Sequence, residues 1–568
     1  LEILATPTSK DLYRTNQANF EKIPGNPLAY WVSEKIFKSF GLNKLEYYGK
    51  TRAGMITGNN EKFVRFWQEV SYSKLGIGLH SREQAKTSRK KWFPYNKGGN
   101  FRKWYGNNER VVNWENDGYL LQTTKDSKGK VPAHAFNLPY IFKKNITWNA
   151  LSSYKFSARQ SDWGFLYDAS GSFADINLKM QSYLLALLCS KVAFYYLTAM
   201  NPTLNFQKGN IANIPVIESN VQKNNVDTLS NTNVLLGKDD WDSFENSWDF
   251  SKHPLIQNID EHERNWTLEE AYDVWEQEAL DRFNQLKANE EELNRIFIEL
   301  YGLQDELTPE EEDKDVSVRK ADKERDIKSF LSYFIGCVFG RYSLDADGLA
   351  FAGGEWDDSK YQTFKPNKDN VILLTEESYY NDERDIINRL REFLTVTFGT
   401  DNVNENMRFI ASVLNEKALN SGTSSEQIIR NYFVDKFYKE HVKTYQKRPI
   451  YWEMSSGRRG GFKALIYLHR YQADDFAVIR SNYLHSLQTT YAAITENLKK
   501  EVIDASGQLM RDMKKQIQNL EVKSGEIVQY DNDLQYIADQ KIELDLDDGV
   551  VVNHKKVQGE KKLLSPIK

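Results

Sequence analysis

A length of 568 residues predicts roughly three or four domains, and a hydrophobic content of 40% is typical of a globular protein. The net charge of −5 excludes a uniformly basic nucleic-acid-binding protein, so a role of that kind would depend on local patches. The two cysteines, Cys189 and Cys337, exclude a disulfide framework and a cysteine-rich zinc site, and they fit the reducing cytoplasm in which we expect the protein.

The ends and the most apolar run give no sign of a membrane protein. The chain starts at Leu1 without a signal-peptide pattern, which suggests a fragment or a processed chain. Residues 183–200 (YLLALLCSKVAFYYLTAM) are long enough to approach a bilayer span, but Lys191 lies at their centre. We therefore expect a buried helix over residues 178–199 and no membrane association.

Taken in order, the pattern predicts a mixed α/β fold with several domains. Residues 1–45 resemble the tail of an earlier domain and contain one helix after a Pro/Gly turn. Residues 46–217 predict an α/β domain, with a helix over 60–70, a strand at 111–114, strand patterns at 146–156 and 164–168, and a closing strand at 211–217. The Asn- and Ser-rich residues 218–238 predict a linker or a surface loop.

The second half is predicted to be largely helical. Residues 239–324 form an acidic helical spacer, with 18 acids against four Lys or Arg between Asp260 and Glu312. Residues 325–475 form a mixed α+β accessory region that ends in a hairpin with Arg458 and Arg459 at its tip. Residues 476–568 predict a helical bundle and a tail with a turn and a short strand.

The most distinctive stretch is residues 86–110, KTSRKKWFPYNKGGNFRKWYGNNER, called here the basic-aromatic stretch. From Arg82 to Arg110 the chain has nine Lys or Arg and two Glu. Cations beside aromatic rings on a glycine-containing backbone suit a surface that holds phosphates and stacks on bases. A solvated loop with aromatic anchors explains the same composition equally well. A second basic site, residues 447–470, surrounds the predicted hairpin.

Catalytic motifs are missing from this sequence. It has no Pro-Pro dipeptide, so it lacks the (D/N)-P-P-(Y/F) tetrad that holds a flipped adenine or cytosine beside a methyl donor. It also lacks a strand-linked G-x-G-x-x-G, a P-loop and an H-E-x-x-H. From the residues alone, the sequence predicts a multidomain protein with two basic surfaces, no catalytic residues and no metal ligands.

Collinear motifs then give a resemblance to the adenine-specific DNA methyltransferases of BREX phage-defence systems, the PglX family. They are IPGNPLAYWVSE (23–34), KWFPYNKGGNFRKWYGNNERVVNWENDGY (91–119), NPTLNFQKGNIANIPVI (201–217), WDSFENSWDFSKHPL (241–255), ELNRIFIELYGLQDELTPEEEDKDV (292–316), FGRYSLDADGLAFAGG (339–354), RPIYWEMSSGRRGGFKALIYLHRY (448–471) and DLDDGVVVN (545–553). The donor-binding glycines and the N-P-P-Y tetrad of that family are absent, so the chain resembles its C-terminal portion. The resemblance implies that residues 1–45 end the preceding methyltransferase domain and that residues 46–217 form a target-recognition domain.

The resemblance implies a function and a partner. The chain would recognise double-stranded DNA for a site-specific, S-adenosylmethionine-dependent adenine methyltransferase. It would bind no cofactor itself and be inactive alone, because that chemistry needs a flipped base in a pocket that the missing half supplies. The alternative is a scaffold whose acidic helices and C-terminal bundle dock other phage-defence proteins.

The candidate DNA contacts fall into four groups. Phosphate contacts, or a guanine edge for the arginine, are expected from Lys90, Lys91, Lys97, Arg102 and Lys103. Rings that either stack on bases or fix the loop are Trp92, Tyr95, Trp104 and Tyr105, with Trp92 and Trp104 favoured as half-buried anchors. Base-edge candidates are Arg159, Gln160, Asn205 and Gln207, although the loop with Asn205 and Gln207 could equally be a structural turn. Arg458 and Arg459 are weaker phosphate candidates.

Overall fold

A computed structural model describes residues 16–257 and 266–567 of the chain. The first fifteen residues of the predicted tail and residues 258–265 of the predicted acidic spacer therefore lie outside the described part. The chain divides into two compact units. Unit 1 contains the described residues up to Trp67, together with Lys74–Trp241 and Glu278–Lys320, and unit 2 contains Gln68–Ser73, Asp242–Gln277 and the chain from Ala321 onward, as far as described.

The described helices and strands are numbered here in chain order. The strands are β1 Gly49–Arg52, β2 Val64–Phe66, β3 Trp92–Asn96, β4 Arg110–Asn113, β5 Asn145–Asn149, β6 Ala158–Ser161, β7 Leu166–Tyr167, β8 Gly171–Ile176, β9 Ile372–Leu373, β10 Tyr451–Ser455 and β11 Lys463–Tyr467. The α-helices are α1 Glu34–Ser39, α2 Leu45–Tyr48, α3 Asn60–Phe63, α4 Arg82–Thr87, α5 Glu115–Thr123, α6 Leu178–Cys189, α7 Lys191–Met200, α8 Lys208–Ala212, α9 Lys223–Asp242, α10 Pro254–Gln257, α11 Leu268–Tyr301, α12 Lys323–Phe339, α13 Ile386–Phe398, α14 Val403–Asn420, α15 Ser425–Tyr432, α16 Tyr438–Thr444, α17 Asp475–Val478, α18 His485–Glu501, α19 Gly507–Ala538 and α20 Val550–Gln558.

Unit 1 contains two four-stranded sheets. The first has the order β1-β8-β5-β6 and is antiparallel throughout, with Trp148 of β5 opposite Ser172 and Ala158. Alternate side chains of this sheet join one apolar core with helices α6 and α7, because successive residues of a strand face opposite sides. The second sheet has the order β2-β4-β3-β7, and its strand β3 holds residues 92–96 of the basic-aromatic stretch, all five of which are buried.

Unit 2 contains a three-stranded sheet of order β10-β11-β9. The predicted hairpin is confirmed, since Tyr451 pairs with Tyr467 and the turn holds Arg458 and Arg459. Helices α18 and α19 supply Leu487, Leu520 and other apolar side chains to the core that covers this sheet. The predicted helical periodicity after residue 476 is therefore confirmed.

The predicted helix over 178–199 is two helices bent by 71° at Ser190. The Ser190 side chain accepts a hydrogen bond from the Ala193 N–H, so it caps α7 and starts a new helix direction. Most residues of both helices are buried in the unit 1 core. No single helix among the described residues is long and apolar enough to cross a bilayer, and α6 and α7 reach that criterion only when counted together.

Four other local predictions are wrong. Residues 60–70 form α3 and then β2 instead of one helix, and 211–217 form the end of α8 and one isolated bridge instead of a strand. The polar 218–238 segment is mostly α9, because Val226 and Val234 lie eight residues apart on a buried face. The tail after Gly549 is helix α20 instead of a strand. The mixed α/β character is confirmed, whereas the functional domain boundaries stay predictions.

Candidate nucleic-acid interface

The basic-aromatic stretch divides into three parts instead of forming one surface. Lys90 and Lys91 precede buried β3, and Lys97 follows it, so the two ends are separated by about 20 Å at the usual rise of a strand. Lys90, Lys91 and Lys97 are half-buried, whereas Trp92 and Tyr95 are buried within the sheet. The third part, residues 102–105, is buried as well.

Arg102 and Lys103 point their charges into unit 1. The Arg102 guanidinium donates to Asp240 at 2.8 Å, to the Gly237 carbonyl at 2.9 Å and to the Tyr105 carbonyl at 2.6 Å. Lys103 Nζ lies 2.6 Å from Glu290 Oε2, and both side chains are at most 5% exposed. Burial alone would lower the pKa of Lys103, but Glu290 and Glu311 raise it above its ordinary value. These two cations join the basic-aromatic stretch to α9 and α11.

Trp104 and Tyr105 share this buried position. The Trp104 indole N–H donates to the second oxygen of Glu290 at 2.6 Å, and Tyr105 is 3% exposed. Neither ring presents a face for a base. Trp92, Tyr95, Trp104 and Tyr105 thus all fix the stretch to the unit, and the two tryptophans are buried more fully than the half-buried anchors we expected.

Arg159 lies on β6, the last strand in the order of the first sheet, and is fully buried. Its guanidinium donates to the Asn149 side chain at 2.8 Å and to the Arg102 carbonyl at 3.2 Å. Burial and the neighbouring Arg102 lower the pKa of Arg159 to about 10, which still leaves it charged at neutral pH. Its neighbour Gln160 is half-buried and donates to Asp162 at 3.2 Å.

Lys97 and Tyr95 meet on Asp168. Lys97 Nζ lies 2.6 Å and the Tyr95 hydroxyl 2.8 Å from Asp168 Oδ2, and the Ser170 N–H donates to Oδ1 at 2.9 Å. Burial opposes ionisation of Asp168, but the hydrogen bonds from Lys97 and Ser170 lower its pKa below the ordinary value. Burial and the Asp168 carboxylate raise the pKa of Tyr95.

Asp168→Asn is expected to lower the free energy of unfolding at pH 7 by about 1 kcal/mol, with a deficit that disappears on acidification. Because the folded pKa of Asp168 is lowered, its stabilisation is present above the unfolded pKa of about 3.9 and is lost as pH falls through the folded pKa. Urea unfolding of both proteins between pH 7 and 3 measures this difference. Asp305→Asn, which removes an exposed pair with Lys35, is the matched control. An equal deficit for Asp168→Asn at every pH would contradict the expectation.

Beside Lys97, four loops of unit 1 are tied together and define what we call the loop platform, residues 97–100, 149–153, 168–170 and 201–208. Asn149 Nδ2 donates to the Gly99 carbonyl at 2.6 Å, and Ser170 Oγ donates to the Lys97 carbonyl at 3.0 Å. The main chain completes the links, as the following hydrogen bonds show: Ala150 N to Ser170 O at 2.9 Å, Ser152 N to Leu204 O at 3.1 Å and Phe206 N to Ala150 O at 2.7 Å.

The loop platform presents polar side chains to solvent. Asn205 and Gln207 are exposed there, and so is Lys208, which makes no ion pair within the described residues. Asn100 is also exposed, and it was not among the sequence candidates. The signal that could have found Asn100 is its place directly after Gly98 and Gly99, whose φ angles of 79° and 139° turn the loop outward from β3.

Arg458 and Arg459 are exposed on the hairpin of unit 2. The turn is closed by Glu526 of α19, whose carboxylate accepts from the Arg459 N–H at 2.9 Å, the Gly461 N–H at 3.1 Å and the Ser456 hydroxyl at 2.7 Å. Partial burial alone would raise the pKa of Glu526, but these hydrogen bonds outweigh it and lower the pKa below its ordinary value. The hairpin backbone is thus occupied by a carboxylate, and only its arginine side chains extend to solvent.

The sheets of the described residues differ from the arrangement that usually holds a nucleotide-like donor. A nucleotide-like donor usually lies at the carboxyl ends of parallel strands with a glycine-rich turn before a helix. In residues 16–257 and 266–567 the named sheets are antiparallel except for the pairing of β3 with the two-residue β7. The same residues contain no group of three or more His, Cys, Asp or Glu that could hold a metal ion.

Comparison with curated proteins gives two relatives, and no protein-family model matches the chain. The chain is 50% identical over 577 residues to the adenine-specific methyltransferase PglX of Lacticaseibacillus casei, an alignment that covers 100% of this chain and 47% of the relative. It is 35% identical to the adenine-specific methyltransferase BrxX of Escherichia coli, over 95% of this chain and 45% of the relative. The chain thus spans about half the length of the curated relatives it matches, and over its whole length it is homologous to adenine-specific methyltransferases of the PglX and BrxX kind.

Proposed function

We propose that this chain recognises the DNA target of a site-specific adenine methyltransferase in a BREX phage-defence system. The homology to adenine-specific methyltransferases supports the enzyme class. The loop platform supports the recognition role, because it holds exposed amides and a lysine on loops that are fixed to two sheets. Duplex DNA is the partner, and S-adenosylmethionine and the adenine pocket belong to the part of the relatives that this chain does not cover.

The observation that carries this proposal is the exposure of Asn100, Asn205 and Gln207 on one rigid platform. Side-chain amides can bind the N6 and N7 edge of adenine with two hydrogen bonds in the major groove. In this proposal Lys208, which is exposed, and Lys97, through its exposed part, contact phosphates near such a base. Arg102, Lys103 and Arg159 have a structural role in this proposal, since Arg159 donates to Asn149 of the platform and the other two bind buried carboxylates of α9 and α11.

The acidic spacer offers less surface to a protein partner than its composition suggests. Asp240, Glu290, Glu311 and Asp315 are buried and bind cations of the same unit, among them Arg102, Lys103 and Lys155. A scaffold that docks a basic partner through this segment is therefore the weaker proposal. Exposed Arg458 and Arg459 remain candidates for a second phosphate contact.

The test is selection of bound duplexes from a randomised library at low salt, followed by affinity measurements across a salt titration. Lys208→Glu is expected to weaken binding to all duplexes and to reduce the salt slope by about one unit. Asn205→Ala and Gln207→Ala are expected to relax the selected sequence at one or two positions, at a discrimination loss of about 1–3 kcal/mol each.

Lys38→Glu, an exposed lysine of α1 outside the platform, is the matched charge control and should leave both readouts unchanged. The absence of duplex binding at low salt would overturn the recognition role. Binding that is equally sensitive to Lys38→Glu and Lys208→Glu would show that the platform is not the contact surface.

A further inference from the structure

Two exposed apolar side chains stand on the loop platform among its polar groups. Leu151 is 71% exposed and Leu204 is 40% exposed. They lie on neighbouring loops, because Leu151 forms an antiparallel bridge with Asn205 and the Ser152 N–H donates to the Leu204 carbonyl at 3.1 Å. Single exposed leucines are common on protein surfaces. Two on adjoining, hydrogen-bonded loops beside exposed amides are a more specific arrangement.

The base beneath these leucines is closely packed and hydrogen-bonded. Trp148 is fully buried and donates its indole N–H to the Phe206 carbonyl at 2.9 Å, and the rings of Phe156 and Phe206 pack edge to face with centroids 5.1 Å apart. The loop before Asn205 is closed by Asn201, whose side chain donates to the Asn205 carbonyl at 3.0 Å and accepts from the Thr203 N–H at 3.1 Å. Ordering these loops on binding therefore costs little conformational entropy.

We propose that Leu151, supported by Leu204, is an apolar wedge that inserts between adjacent base pairs of the bound duplex. This inference rests on the proposed function, since the platform must face DNA. Leucine side chains are among those that unstack a base step when a rigid protein surface presses them into a groove. Unstacking a base step is unfavourable, and it is least costly at pyrimidine–purine steps such as TA and CA. The wedge would thus add a preference for a deformable step beside the bases that Asn205 and Gln207 contact.

The experiment uses the full chain and the duplex selected in the library experiment, with 2-aminopurine placed at each adenine in turn. This base becomes more fluorescent when it loses stacking. The wild-type protein is expected to raise the fluorescence at one position by several-fold. Leu151→Ala is expected to abolish that rise and to weaken binding by about tenfold, whereas Leu151→Ala with Leu204→Ala should weaken it further.

Leu178→Ala is the matched control, because Leu178 is 61% exposed on α6 of the same unit and lies outside the platform. Leu151→Ala and Leu178→Ala each change an exposed side chain, so both should keep the urea-unfolding midpoint of wild type. Leu151→Asn keeps the approximate size while removing the apolar surface, and it should behave like Leu151→Ala.

The outcomes separate the wedge from the proposed function. If wild type binds no duplex at low salt, the proposed function fails and the wedge fails with it. If wild type binds and no 2-aminopurine position responds, the wedge is overturned while the recognition role stands. The same conclusion follows if Leu151→Ala keeps both the fluorescence rise and the affinity. A rise that only the Leu151 variants lose supports the wedge.

Discussion

Replacing Asp385 with alanine is expected to lower the free energy of unfolding of unit 2 by about 4 kcal/mol or more. Asp385 and Arg430 are a buried pair, 1% and 4% exposed, joined by two hydrogen bonds of 2.8 and 3.1 Å. Asp385 also caps helix α13 by accepting the Ile387 N–H at 2.8 Å. Alanine removes the cap and leaves an arginine charge buried without its carboxylate, and these two costs add.

Two further variants divide this effect. Asp385→Asn can keep the cap while removing the charge, so it should be more stable than Asp385→Ala by about 1 kcal/mol. Asp385→Ala combined with Arg430→Met should recover part of the loss, because it removes the uncompensated charge. Urea unfolding monitored by tryptophan fluorescence gives the values. Glu426→Gln is the control, since its pair with Arg391 is 46% and 38% exposed and should contribute less than about 1 kcal/mol. A loss for Asp385→Ala no larger than for this control would contradict the expectation.

Lys103→Met is the second change with a large expected effect, a loss of about 3–5 kcal/mol in the stability of unit 1. Methionine matches the aliphatic part of the lysine but cannot neutralise Glu290, which lies 2.6 Å from Lys103 Nζ in a buried site. Glu290 also binds the Trp104 indole, so its displacement would disturb the segment that leads from the loop platform to β4. Thermal and urea unfolding measure the loss.

The control for Lys103→Met is Lys287→Met, which breaks a pair with Asp313 in which the side chains are 30% and 58% exposed. That pair is screened by water, so its loss should destabilise the protein far less than the loss of the buried pair. The double variant Lys103→Met with Glu290→Gln should be more stable than Lys103→Met alone. An equal loss of stability in Lys103→Met and Lys287→Met would contradict the expectation, because it would show that burial does not make the Lys103–Glu290 pair more stabilising than an exposed pair.

Local patterns predicted the elements whose signal is contained in neighbouring residues. The hairpin around Arg458 and Arg459 was predicted because strand-like residues flank a Gly/Arg turn, and α11 because its apolar residues repeat at helical spacing. Helix α9 was missed because its buried face contains Ser230 and Asn233, the latter bonded to Asn289 at 2.8 Å. The sequence alone cannot distinguish a polar residue that is hydrogen-bonded in the core from a polar residue that is exposed to solvent.

The candidate site shows the same limit more sharply. Counting charges could not distinguish half-buried Lys97 from buried Arg102 and Lys103. The carboxylates that pair with Arg102 and Lys103 inside the unit are 138 and 187 residues away in the chain. Asn205 and Gln207 were among the sequence candidates, and the structure places both on exposed loops. Leu151, which forms a bridge with Asn205, could not be predicted, since the contact between these loops depends on how the first sheet is assembled.

The way in which the loop platform is held has a consequence for how such proteins diversify. Its links use main-chain atoms of Ala150, Ser152 and Phe206, and the Asn149 amide beneath. The outward side chains at positions 100, 151, 205 and 207 therefore carry little of the scaffold's stability. Under the proposed function, exchanging them should leave the architecture intact while altering which duplex is bound, so this surface is a suitable place to graft new specificities.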